Sequence, residues 1–199
     1  VGQLSFFSAE VTQPTVSDLS GLLAGVGQAV ISGTAARISV VVDAAWRARA
    51  IAADIAQCGI EPEILYSEEG HPLVRTAPVA ELVALATQWT RGAVKAVPAD
   101  WTPGPRALRI WALACGFGEG VNAEGQPDRF VLRLDPHAPD THGRLAQALL
   151  RIGIAPMLVG TRGTHPSLRI GGHRRMTRLA ETIGDAPADV DIAAGWPGA

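Results

Sequence analysis

Cys58-Gly59-Ile60-Glu61-Pro62, followed by His71-Pro72-Leu73-Val74-Arg75, is matched later by Ile152-Gly153-Ile154-Ala155-Pro156 and His165-Pro166-Ser167-Leu168-Arg169. Gly59 and Gly153 are 94 positions apart, as are His71 and His165. Upstream, Ile38-Ser39-Val40-Val41-Val42-Asp43 corresponds to Phe130-Val131-Leu132-Arg133-Leu134-Asp135, with the two aspartates 92 apart. Earlier still, Gly25-Val26-Gly27 and Gly116-Phe117-Gly118 each close an apolar helical pattern and lie 91 apart. A shared order of elements with small changes of loop length is the signature of a duplicated structural unit.

Each copy reads as helix, two strands, helix, two strands, helix. In the first copy, residues 14–91, Pro14, Thr15, Ser17 and Asp18 offer start signals for a helix that Gly25 and Gly27 stop. Strands follow near 28–32 and 36–42, then a helix over 44–57 with Ala48, Ile51, Ala52 and Ile55 on one face. A hairpin around Glu68-Glu69-Gly70 and a helix over 79–89 complete the unit. Residues 92–104, with Pro98, Pro103 and Gly104, read as a connector. The second copy, 105–184, repeats the order, with a short strand at 119–122 and a helix capped by Asp140 or Thr141. The segment 185–199 reads as a loosely held tail.

Composition narrows the function classes. The 199 residues are 47% hydrophobic and 18% charged, enough to bury one substantial core or two small fused ones. Net charge is -2, so there is no global attraction to nucleic acid or an anionic membrane, although a local basic face is compatible with it. The first 97 residues carry 6 basic and 9 acidic side chains, and the rest 11 and 10. Between Thr161 and Ala180 stand Arg162, Arg169, Arg174, Arg175 and Arg178 with no acid. Lys95 is the sole lysine, so positive charge is nearly all guanidinium, suited to two-pronged phosphate or carboxylate contacts. Cys58 and Cys115 form no CxxC pair, and the chain has no apolar run long enough to span a bilayer and no signal-peptide pattern. A cytoplasmic monomer with no membrane partner is the expectation. His71 and His165 lack metal-ligand spacing, and the glycine pairs lack a phosphate-loop context.

The duplicated helix-hairpin-helix-hairpin-helix order resembles the LAGLIDADG homing endonuclease fold over nearly all of 18–184. The resemblance implies an α/β (α+β) architecture. Two motif helices, one from each copy, pack at a pseudo-twofold axis, and two four-stranded antiparallel sheets form a saddle over DNA. By this resemblance, Ala112-Leu113-Ala114-Cys115-Gly116-Phe117-Gly118-Glu119-Gly120 lies on the nine-letter motif, with Glu119 on its metal-binding acid. In the first copy the equivalent position is Gln28, or Val26 in a register that puts Gly27 on the closing glycine; neither is an acid.

Metal-dependent hydrolysis of a phosphodiester needs anionic oxygen ligands beside the scissile phosphate. One acid serves two metals poorly, so Glu119 reads as a vestigial catalytic candidate or as an ordinary charged residue after a helix, with no cofactor expected. The strand alternation places Arg37, Arg75, Arg129, Arg133 and Arg169 as candidates for contacts to double-stranded DNA from a common concave surface. Against DNA stand Glu61, Glu63, Glu68 and Glu69 in the first hairpin. Two readings follow: a catalytically degenerate endonuclease-like protein that binds DNA or regulates, and a protein-interaction or structural module that has lost DNA affinity. A nuclease that recruits acids from elsewhere is the third.

Overall fold

The computed structural model describes residues 8–123, 125–161, 163, 165–188, 190 and 195–197. In the first copy a 3-10 turn, Val16–Leu19, leads into α1 (Ser20–Ala24), then β1 (Gln28–Ser32), β2 (Ala35–Val41), α2 (Ala45–Gln57), β3 (Pro62–Tyr66), β4 (Pro72–Thr76) and α3 (Val83–Gln88). A two-stranded hairpin, β5 (Thr90–Arg91) and β6 (Val94–Lys95), links the copies. The second copy comprises α4 (Pro105–Cys115), β7 (Gly116–Val121), β8 (Pro127–Arg133), α5 (Pro139–Arg151), β9 (Met157–Val159), β10 (Ser167–Gly171) and α6 (His173–Ile183). Both large sheets are antiparallel, ordered β1-β2-β4-β3 and β7-β8-β10-β9. The repeated sequence thus gives the same sheet twice.

Alternation along the strands decides which face is covered. In β2 and β4, Ala36, Ile38, Val40 and Val74 are buried on the helix side, as are Phe130, Leu132, Leu168 and Ile170 in β8 and β10. These side chains and the apolar helix faces form one core shared by both copies. Burial at roughly 25 cal/mol per Å² of apolar surface drives that association.

The two copies meet at α1 and α4. A Cβ added to Gly21 would run into the Ala107 carbonyl oxygen and sit 2.9 Å from the Trp111 nitrogen, so only glycine permits this backbone approach. One turn on, Gly25 faces Cys115 and Trp111. Trp101 wedges between Trp89 and Trp111, with centroids 4.8 and 6.0 Å away, and its Nε1 donates to Ser20 Oγ at 3.2 Å. The linking segment therefore packs on the helix pair.

Four local expectations are corrected. Residues 92–104 are not a plain connector, because β5 and β6 pair across Gly92, whose φ of +65° suits the turn. The strand expected at 119–122 begins at Gly116, directly where α4 ends. Ala138, not Asp140 or Thr141, caps α5: Pro139 takes the first helical position, where its missing N–H costs nothing, and Thr141 Oγ1 donates back to the Ala138 carbonyl. The tail is held at Trp196, which is 3% exposed, packs edge-on to Phe130, donates from Nε1 to the Gly184 carbonyl and stacks with Arg109. Apolar burial of a large ring outweighs the loose composition around it. No described helix is long and apolar enough to cross a membrane.

Replacing Gly21 with alanine should lower stability by about 2 kcal/mol or more, because the clash is with backbone that cannot move aside. Gly143→Ala, in α5 with nothing within 4 Å of the new Cβ, should instead stabilise by roughly 0.5 to 1 kcal/mol. Thermal melts of the two variants test the helix crossing, and equal melting shifts would contradict it.

Candidate nucleic-acid interface

The open faces of the sheets carry all five arginines expected to contact DNA. On the first sheet the register aligns Val30 with Arg37, and Ser39 with Arg75, which in turn pairs with Glu63. On the second sheet Glu119 aligns with Arg129, and Arg129 with Gly171. One step along, Phe117, Val131, Arg169 and Met157 form a row, and Arg133 aligns with Ser167. Arg129 and Arg133 flank Val131 on one face of β8.

Most of these arginines already have carboxylate partners. Arg75 Nε donates to Glu63 at 2.7 Å, a bond that raises the pKa of the guanidinium and lowers that of the carboxyl group. Arg133 reaches Asp43 of the first copy at 3.4 Å and lies over the Phe117 ring at 4.6 Å. Arg129 contacts Glu119 at 3.4 Å and Asp128 at 3.2 Å. Arg169 donates from Nη2 to Glu119 at 2.9 Å, with its Nε 2.8 Å from the other carboxylate oxygen. Arg37 has no ion-pair partner among the described residues. Ion pairs this open to solvent add little to stability, so exchanging a carboxylate for a phosphate costs little. Arg162 lies outside the described residues.

The sheet register moves the motif. Asp43 and Asp135 each stand two residues beyond their strand, after Val41 and Arg133. Counting back, Ser39 matches Val131, and their partners Gln28 and Phe117 are equivalent. Val26 is then equivalent to Cys115, Gly27 to Gly116 and Val30 to Glu119. Glu119 therefore does not stand at a helix end as the sequence alignment placed it. It lies within β7 on the open face, its carboxylate held by two guanidiniums. A carboxylate neutralised in this way has little attraction left for a divalent cation.

At the helix ends themselves stand Val26 and Cys115, together with two buried cations that sequence reasoning missed. Arg47, on α2, donates to the carbonyls of Ala112, Leu113 and Gly116 at the end of α4, and pairs with Asp43 at 2.8 Å. Lys95, on β6, donates to the Gly25 carbonyl at the end of α1 at 2.6 Å and pairs with Asp135 at 3.3 Å. Gln28 adds a 3.0 Å bond to the same Asp135 oxygen. The arrangement is pseudo-symmetric. An aspartate from each sheet holds a cation against the carbonyl end of the other copy's motif helix. Positive charge there complements the unsatisfied carbonyls and the negative end of the dipole. Burial lowers the pKa of Arg47 and of Lys95, with the aspartates opposing the shift.

Among the described residues there is no group of three or more His, Cys, Asp or Glu side chains arranged to hold a metal ion. Val26 and Cys115 supply no carboxylate at the helix ends, and the two aspartates beside them, Asp43 and Asp135, are each tied to a cation, Arg47 and Lys95, an arrangement that does not fit a divalent metal. Burial pushes the Cys115 thiol up to about 12.

Removing Arg47 should cost on the order of 2 kcal/mol or more, because Arg47→Met takes a buried charged donor from three carbonyls at the end of α4 and leaves Asp43 without its 2.8 Å partner. Chemical denaturation of the variant checks this. Cys115 gives a pH signature. Its folded pKa lies above the ordinary value of 9.0, so its contribution is complete below 9.0 and is lost as pH rises toward about 12. Alkaline denaturation curves should fall more steeply for the wild type than for Cys115→Ala over that window.

No protein-family model matches the sequence, and no curated protein matches it. Among solved structures the chain is similar to the homing endonuclease I-WcaI bound to its DNA recognition sequence, at 12% identity over 92% of this chain and 89% of that one, with a TM-score of 0.58. It is also similar to the N-terminal LAGLIDADG domain of DUF199/WhiA, at 14% identity over 85% and 82% of the two chains and a TM-score of 0.56. Full-length DUF199/WhiA from Thermatoga maritima gives 15% identity and a TM-score of 0.58, over 84% of this chain and 54% of that one. Likeness at such identities establishes the architecture: the chain has a LAGLIDADG-like fold, two antiparallel sheets flanked by helices.

Proposed function

We propose that this chain is a double-stranded DNA-binding protein of endonuclease-like fold, working as a non-catalytic regulatory module. The observation that carries the reading is the pairing of two features. Arginines Arg37, Arg75, Arg129, Arg133 and Arg169 project from the open sheet faces, while the ends of the motif helices carry Val26 and Cys115, with the neighbouring Asp43 and Asp135 tied up by Arg47 and Lys95. One of the similar structures is a homing endonuclease on its DNA recognition sequence, which supports duplex DNA as the ligand. With Asp43 and Asp135 each neutralised by a cation and no acid on the helix ends themselves, the site is poorly suited to the metals that activate water and stabilise a leaving oxygen. Binding rests on phosphate contacts with counterion release, and cleavage is lost. The second sheet carries more of the contact, because Glu61, Glu63, Glu68 and Glu69 repel phosphates from the first.

A protein partner is the second reading, favoured by the apolar exposure of the first sheet. Val30 is 63% exposed and Tyr66 72%. Such a contact would show little salt dependence.

Titration of duplex DNA across a salt series separates the two readings. The DNA reading expects affinity to fall steeply with salt, and Arg133→Ala to weaken binding to all sequences while reducing the log–log salt slope by about one. Binding that ignores salt, or a slope unchanged in Arg133→Ala, counts against it.

A further inference from the structure

Glu119 is left without a role once it is removed from the helix end, yet it is held by two arginines on the open face. Its carboxylate accepts from Arg169 Nη2 at 2.9 Å, with Arg169 Nε at 2.8 Å, and from Arg129 Nη1 at 3.4 Å. The sheet is built for this reach. Gly171 stands opposite Arg129, and a Cβ there would meet the Arg129 stem at 3.1 Å, so the bare backbone lets that side chain lie down across the strand. Glu119, on β7, then meets Arg169, on β10, across the intervening β8. The equivalent position in the first copy is Val30, which faces Arg37 without an acid, so the duplicated unit does not require the carboxylate for folding.

The geometry of the grip leaves one edge of the guanidinium available. Glu119 lies against the side edge, accepting from Nη2 and standing 2.8 Å from Nε, which makes no hydrogen bond, whereas no carboxylate among the described residues meets Nη1. Nη1 and the outer proton of Nη2 make an end-on pair of donors, the pattern that matches O6 and N7 of guanine in the major groove. A free arginine side chain loses much rotamer entropy on docking; one already clamped has lost it beforehand. Arg169 also lines a cleft of about 390 Å³ with Arg129, Met157 and Arg175, which leaves room beside the fork.

We propose that Glu119 is a positioning residue that aims Arg169 at a guanine, making the Glu119–Arg169 pair the sequence-reading element of the second sheet. The inference rests on the DNA-binding reading above. It gives Glu119 an effect opposite to that of a simple electrostatic obstacle: its removal relaxes sequence preference instead of only strengthening binding.

The test begins with selection of bound duplexes from a random library by the wild-type protein, followed by competition between the selected site and versions in which each G·C pair is changed to A·T. One G·C pair should be preferred by about tenfold or more. Glu119→Gln, close in shape and checked for an unchanged melting temperature, should lose most of that preference at this pair alone while keeping or raising its affinity for random duplex. Arg169→Lys should lose it as well, whereas Arg133→Ala should keep the preference and weaken all sites alike. Selection without any such G·C pair, or preference in Glu119→Gln within twofold of wild type, would overturn the proposal and leave DNA binding standing. Absence of duplex binding by the wild type at low salt would overturn both readings together.

Discussion

The approach of Gly21 to the Ala107 carbonyl is the constraint on which the remaining structure depends. Two helix backbones this close bring two carbonyl-rich helix ends to neighbouring positions at the centre of the molecule, where their dipoles repel. Something positive has to stand there. In this chain it is Arg47 at the end of α4 and Lys95 at the end of α1, each anchored by an aspartate that follows a strand. The same repeat that duplicates the sheets therefore supplies the electrostatics that join them. It also fills the floor between the sheets with covalently attached cations.

That solution bears on function through charge. A metal site needs several anionic oxygens converging on one point, but the floor here has a thiol, a valine and two aspartates that are each paired with a cation. On the second sheet, Arg129, Arg133 and Arg169 contact Glu119, Asp128 and Asp43, and Arg175 lines the same cleft as Arg129 and Arg169, so four guanidiniums stand beside three carboxylates. Net charge of -2 for the chain conceals this distribution, since several acids stand in the first hairpin and on the helices. Local electrostatics govern where a polyanion would sit, and whole-chain charge does not.

Much of the architecture was legible in the sequence because repetition is visible without contacts. The recurrence of Gly59-Ile60 and His71-Pro72 at 94 positions announced two copies, and β-branched runs marked β2 and the strand alternation that sets out Arg129 and Arg133. Register at the helix ends was less legible: small loop differences slid the alignment, so Glu119 was matched with Gln28, whereas strand pairing matches it with Val30. The buried cations were hidden for another reason. Arg47 and Lys95 act on carbonyls 65 or more positions away, and nothing near them in sequence marks a helix end as their target. The one available signal was that Lys95 is the sole lysine. Trp196 was similarly masked by its Ala- and Gly-rich surroundings, although a tryptophan in such a segment is itself a reason to look for a pocket.

Retained DNA binding without cleavage is best tested on one labelled duplex, followed for binding and for strand breakage in the same samples, with magnesium and with chelator, at low and near-physiological salt. The predicted result is salt-sensitive binding that is indifferent to magnesium, with intact strands throughout. Magnesium-dependent breakage by the purified protein, or no binding even at low salt, would contradict it.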